Sequence, residues 1–269
     1  GSMYDPNDLA YLFVSLMPLC YFAFLYNRNL IVRYASFSAV LLSYGLVILT
    51  GSRGGLIGLA AVSALMFLTR YGSVSMFKKV IAVIAIGVTF VMFGDRLDLS
   101  RFFTLGNIEQ DYNFTSETGR VEIWKTGLEM VKQNPLTGVG YDCFGMAHGI
   151  IRESEGRIPV WKAAHNSYLL IAAEIGVPAF LMFMSLILRT FRNFLHTSRL
   201  KDPPTGAETL RALSGLAFCS FVDNLICAFF LSQTYNSIFT FYFALSFLFP
   251  FLWDSLLTKQ VARENVNNG

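Results

Sequence analysis

Very little in this chain can hold a metal or build a disulfide framework. Three histidines and four cysteines are spread over 269 residues. Cys20, Cys219 and Cys227 fall inside apolar runs, so Cys143 is alone in polar surroundings and no set of bridges can staple a domain. No Cys/His spacing fits zinc, no two neighbouring aspartates are placed to hold a metal for nucleotide-sugar transfer, and neither metal nor cofactor is expected. Gly51 to Gly55 lacks the lysine of a P-loop. No lysine or arginine precedes Arg28, so no signal-peptide n-region is visible, and Gly1-Ser2 reads as the scar of a cleaved tag. Only 14% of residues are charged, and no nucleic-acid partner is expected.

What the chain has instead is apolar length. With 54% hydrophobic residues and a mean hydropathy of +0.49, it is far more apolar than a soluble domain. The composition predicts an all-α integral membrane protein embedded in a lipid bilayer. Seven runs are long enough to approach the hydrocarbon thickness, at 8–26, 34–50, 54–69, 79–93, 166–188, 210–231 and 236–253. The expected organisation is four transmembrane helices in 4–94, an outer loop at 95–165, three more in 166–258 and a polar tail from 259 to 269, with Pro203-Pro204 and Gly206 in a linker. Arg28, Arg33, Arg70, Lys78, Lys79, Arg189, Arg192, Arg199, Lys201, Arg211, Lys259 and Arg263 fall on one side, while the short loops opposite carry only Arg53. The positive-inside rule makes the first side cytoplasmic, with the C-terminus there and the loop 95–165 outside.

That loop is where chemistry is expected. Residues 120–133 carry Val121, Trp124, Leu128 and Val131 at helical spacing, and Asn134-Pro135 stops the helix. An interfacial helix with Trp124 at headgroup level is one reading, and a helix packed on the bundle is the other. Arg120 falls in its first turn, where the positive helix end disfavours a cation unless an anion is near. Arg53 repeats the pattern in Thr50-Gly51-Ser52-Arg53-Gly54-Gly55, with Ser52 as a cap and the glycines permitting close approach. Such an arginine also snorkels, but two of them at outer helix starts point to an anion-binding face suited to phosphate.

His165 precedes a helix that Asn166 and Ser167 are placed to cap. The helix end favours the neutral ring, which suits a general base; an interfacial histidine is also commonly structural. Glu174 and Asp223 are acids in apolar runs, either functional or neutralised and paired. Lys162, Arg152 and Arg157 are candidates for acceptor phosphates or acidic sugars. The Thr137-Gly138-Val139-Gly140-Tyr141-Asp142 stretch has the composition of a potassium-channel filter in a different order, and its glycines are assigned to a tight turn after Pro135. Asn113-Phe114-Thr115 matches a glycosylation acceptor, a pattern too common to use.

Taken together, these motifs resemble the O-antigen ligase and polymerase superfamily of bacterial inner-membrane proteins. The likeness rests on Asp5-Pro6-Asn7-Asp8-Leu9-Ala10, Ser52-Arg53-Gly54-Gly55, Gly119-Arg120 with Trp124, Asn134-Pro135-Leu136-Thr137-Gly138-Val139-Gly140, His165-Asn166-Ser167-Tyr168-Leu169 and Glu174-Ile175-Gly176. It implies a GT-C-like helical glycosyltransferase with a periplasmic catalytic loop containing short amphipathic helices. Such an enzyme moves a glycan from undecaprenyl pyrophosphate to an acceptor hydroxyl, with inversion and without metal. The acceptor is a lipid A-core, a growing glycan or a protein. The resemblance makes Arg53, Arg120 and His165 catalytic; apart from it, Trp124, Arg152, Arg157, Lys162 and Glu174 are the substrate-binding candidates. Family members usually carry further helices before the Asp-Pro-Asn motif, so the chain corresponds to a C-terminal part. A lipid-linked glycan transporter is the alternative of a different class; it calls for internal repeats and matching cytoplasmic-side sites, and neither is visible.

Overall fold

A computed structural model describes residues 5–68, 116, 119–200 and 207–267. Every regular element among them is a helix: α1 (Pro6–Tyr26), α2 (Leu30–Thr50), α3 (Arg53–Leu68), α4 (Arg120–Gln133), α5 (Phe144–Ser154), α6 (Ser167–Glu174), α7 (Val177–Arg199), α8 (Glu208–Ala228) and α9 (Ser237–Asn267). The chain is thus an all-α membrane protein, and α1, α2, α8 and the 237–262 part of α9 are long and apolar enough to cross a bilayer. The run at 79–93, the cations Arg70, Lys78, Lys79 and Lys201, the triplet 113–115, the start of the outer loop and the linker prolines lie outside the described residues.

The helices group into two compact units. One comprises the described residues up to 68 together with 188–200, 207–224 and 240–267. Its α1 starts at an Asp5 cap, whose carboxylate accepts the Asn7 N–H at 2.9 Å with Pro6 in the first turn, where no N–H is needed. Ala10, Val14, Met17, Val40, Val47, Leu59, Val62 and Cys219 form its apolar core. Buried polar groups tie α1 to α8 and α9: Ser15 donates to Asp223 at 2.8 Å, Tyr11 to Asn224, and Tyr242 to the Ser15 carbonyl at 3.0 Å. Asp223 is therefore a hydrogen-bonded acid inside a helix bundle, the arrangement lipid demands of a buried polar group.

The other unit comprises 116, 119–187 and 225–239. Here the structure corrects the expected span at 166–188. The helix ends after Glu174, Gly176 turns through the left-handed region at φ 92°, and α7 begins at Val177. The glycines that follow α4 explain the break. Val139 and Gly140 donate to the Ala173 and Glu174 carbonyls at 2.9 Å, and Val177 donates to the Pro135 carbonyl at 2.8 Å. A Cβ on Gly138 would overlap the Glu174 carbonyl group, and one on Gly176 the Leu136 carbonyl. The loop thus re-satisfies backbone groups that an interrupted helix leaves open.

The residues 120–133 do form a helix ending at Asn134, but its buried face differs from the expected stripe. Ile123, Thr126, Gly127 and Met130 are buried, while Val121 and Leu128 are 39% and 54% exposed. Gly127 sets this rotation: any Cβ there would meet Leu169 at 2.8 Å and Phe144 at 3.0 Å, so α4 packs on α5 and α6 through its glycine. A hydrophobic pattern carries no signal for that contact.

Candidate functional site

His165 is held by main-chain geometry at the end of a strap, residues 157–165. Its φ of 47° is left-handed, a conformation that costs a non-glycine residue on the order of 1–2 kcal/mol and persists only where the surroundings enforce it. Four contacts enforce it here. Arg152 Nε donates to the Ile158 carbonyl at 3.0 Å, and His148 Nδ1 donates to the Val160 carbonyl at 2.6 Å. Trp124 Nε1 donates to the Ala164 carbonyl at 2.9 Å, and the His165 N–H donates to Ser232 Oγ at 2.9 Å. The carbonyls of residues 158, 160 and 164 all meet side-chain donors from α4 or α5, the alternation of extended backbone.

His148 is fully buried, and among the described residues its Nε2 has no hydrogen-bond partner. Burial, reinforced by Arg152, Arg157 and Lys162, lowers its pKa, so the ring stays neutral with the proton on Nδ1 for Val160.

On the other side of His165, Asn166 caps α6, its Oδ1 accepting from Tyr168 and Leu169 N–H at 3.0 Å. Ser167, expected to share that task, instead knits α6 to the 229–236 loop. It donates to the Leu231 carbonyl at 2.6 Å and accepts the Gln233 N–H at 2.7 Å.

Arg120 is the first residue of α4, after Gly119, which supplies no side-chain cap. Trp124, one turn on and on the same face, bonds the residue before His165 and meets Phe229 edge to face at 5.5 Å. The structure therefore ties α4, one turn past Arg120, to the residue before His165. Trp124 itself is a half-buried strut whose N–H is satisfied within the protein. Arg53 belongs to the first unit and opens α3. Ser52 Oγ accepts the Gly55 N–H at 3.1 Å, and a Cβ on Gly55 would meet Ala10 Cβ at 2.6 Å, so the motif lets α3 start against α1.

The remaining candidates divide by environment. Glu174 is buried between two donors, the Phe144 N–H at 2.9 Å and the Tyr235 hydroxyl at 2.8 Å. It thereby caps α5, whose own N-cap residue Cys143 makes no side-chain bond. Burial and this carboxylate push the Tyr235 hydroxyl pKa up, keeping it a donor. Arg152 is buried beneath the strap, Lys162 is exposed upon it, and Arg157 pairs with Glu155 and, at 3.5 Å, with Glu122. The Lys125 ammonium bonded to Glu122 holds that carboxyl below its usual range. A cavity of ≈ 580 Å³ opens between α4 and α5, lined by Glu122, Lys125, Glu129, Gln133, Glu155 and Arg157 among others. Among the described residues, no group of three or more His, Cys, Asp or Glu side chains converges as metal ligands would.

Ser232, Tyr235 and Phe229 were not predicted from the sequence; their only signal was the polar cluster Ser232 to Asn236 between two apolar runs. His148 gave none, being one polar residue on an amphipathic helix.

Fold and site together define a multi-pass helical membrane protein whose polar loop is bolted to an interrupted helix, with the strap that ends at His165 tied to the helix that Arg120 opens. A family model described as O-antigen ligase matches residues 37–184, which is 148 of the 269 residues. The chain belongs to the O-antigen ligase family. It is also 25% identical over 170 residues to a Haemophilus influenzae protein described as uncharacterized, a match covering 59% of this chain and 43% of that protein. The chain thus spans less than half the length of that relative.

Proposed function

We propose that the protein transfers a glycan from an undecaprenyl pyrophosphate carrier to an acceptor hydroxyl on the periplasmic face of the bacterial inner membrane, with its C-terminus in the cytoplasm. The observation that carries this reading is the left-handed backbone of His165, fixed by Trp124 and Ser232 beside the helix that Arg120 opens; family membership supports it.

In this mechanism the acceptor oxygen attacks the anomeric carbon from the face opposite the carrier, and its proton passes to the His165 ring. The bond from the anomeric carbon to the pyrophosphate oxygen breaks, and the carrier leaves with the electron pair. Inversion follows from the single displacement. Charge grows on the departing pyrophosphate, and Arg120 and Arg53, each the first residue of a helix, stabilise it with guanidinium forks that match phosphate oxygens. No metal step is needed. Lys162 and Arg157 serve the acceptor, Arg157 from the rim of the α4–α5 cavity, while Arg152, Trp124 and Glu174 act as positioning residues that hold the strap and the start of α5.

Incubating the protein in lipid nanodiscs with undecaprenyl pyrophosphate glycan and, separately, lipid A-core, lipid-linked glycan or a serine-bearing protein acceptor tests the proposal. Product bearing an inverted linkage with one of the three is expected, reduced at least about a hundredfold in Arg53→Ala and Arg120→Ala. Carrier translocation without any new glycosidic bond would make the protein a transporter instead.

A further inference from the structure

We infer that Trp161 is a stacking platform for a pyranose ring of the glycan, a role that rests on the transferase reading above. The indole is 66% exposed although it sits on a strap fixed at several points. Its seat is Gly149 of α5. A Cβ built there would lie 3.0 Å from Nε1, 3.1 Å from Cε2 and 3.3 Å from Cδ1. Near-equal distances to three contiguous ring atoms place that point over the ring face, because an edge-on approach would hold the two carbons well beyond the nitrogen. One face of the pyrrole ring therefore rests on the helix where glycine makes room, and the other is open.

A buried tryptophan is core, and a mobile surface one has no preferred ligand. An indole seated on one face and exposed on the other presents a fixed, electron-rich plane. The axial C–H bonds of a pyranose carry partial positive charge and fit such a plane, while the ring hydroxyls stay in water or bond nearby polar groups. Lys162, exposed next along the strap, supplies donors of that kind. Trp161 also precedes His165 by four residues, so their Cα atoms are at most about 14 Å apart, a span comparable with a short oligosaccharide ending at the reacting hydroxyl.

The test uses the protein in nanodiscs, with donor and acceptor concentrations varied separately. Trp161→Ala is expected to raise KM for the substrate that carries the stacked ring about tenfold while kcat stays within about twofold, the loss of one contact worth about 1.4 kcal/mol. A shift in the donor KM assigns the ring to the lipid-linked glycan, and a shift in the acceptor KM assigns it to the acceptor. Trp161→Phe should restore most of the affinity, since a plane remains. Gly149→Leu, which fills the seat and leaves the indole in the chain, should raise the same KM. Binding is read independently of turnover by the Trp161 emission, taken as wild type minus Trp161→Phe, during titration with the glycan released from the donor by mild acid. A saturable change supports the platform even if no transfer is observed, in which case the transferase reading fails alone. Unchanged KM values in an active Trp161→Ala protein would overturn the platform and leave the transferase standing. Quenching of the Trp161 emission by brominated phospholipid, with no response to glycan and no shift in either KM, would overturn it in favour of a membrane anchor.

Discussion

Trp124 donates its indole N–H to the Ala164 carbonyl at 2.9 Å, across forty residues of chain and one residue before His165. The bond links the helix that Arg120 opens, one turn past that arginine, to the backbone that orients the histidine. Ala164 is fully buried, so its carbonyl has no water to turn to.

Trp124→Phe keeps an aromatic ring against Phe229 but removes the donor. Leaving that buried carbonyl unpaired should cost about 1–2 kcal/mol of stability. Turnover should fall further, by about ten- to a hundredfold, because a shift on the order of 1 Å in a reacting group is that costly. Thermal unfolding and initial rates at saturating donor measure the two effects. Wild-type turnover in the folded variant would show that His165 needs no support from α4.

Glu174 offers a contrasting prediction because its oxygens are already engaged by Phe144 and Tyr235. Glu174→Ala strands both donors and should destabilise the fold by about 2–4 kcal/mol. Glu174→Gln, which keeps an acceptor for the Phe144 N–H, should cost about half as much and retain most turnover. A Gln variant that is stable and inactive would instead make Glu174 a proton acceptor in the reaction.

Acid should loosen the strap through His148. The folded protein holds this ring neutral by burial, below the ordinary value of 6.5. As pH falls through that value the unfolded chain takes up a proton that the folded chain refuses, so stability is present above the window and declines below it. Protection factors of the amides of residues 158–164, with observed exchange referred to the intrinsic rate at each pH, should therefore fall as pH drops below about 6.5 in the wild type. The fall should be weaker in His148→Gln, which keeps a donor for Val160 but has no titration. An equal fall in both would remove His148 from the effect.

The sequence made some of this legible for physical reasons. Composition sets the class, and Asn134-Pro135 marks the end of α4 because proline cannot continue the ladder. The Asn166 cap and the close approach at Gly55 follow from residue chemistry at helix starts. The break at Gly176 was hidden because 166–188 reads as one long, largely apolar run, and what ends α6 is a backbone contact with Gly138 more than thirty residues earlier. The burial of Gly127 and the partners of Glu174 and His148 are likewise long-range contacts, to which local periodicity is blind. Arg53, Arg120 and His165 stood out because an arginine at a helix start, or a histidine just before one, conflicts with local preference. Such conflicts tend to mark function.

The most direct measurement is the pH dependence of turnover at saturating donor for the wild type and His165→Ala, with donor binding followed in parallel. General-base catalysis predicts a wild-type rate that rises with pH through a single ionisation. It also predicts a variant with no such rise, turnover lower by about 10²–10⁴-fold and donor affinity intact. A variant that turns over normally at saturation and has lost donor affinity would contradict it, making His165 a phosphate ligand.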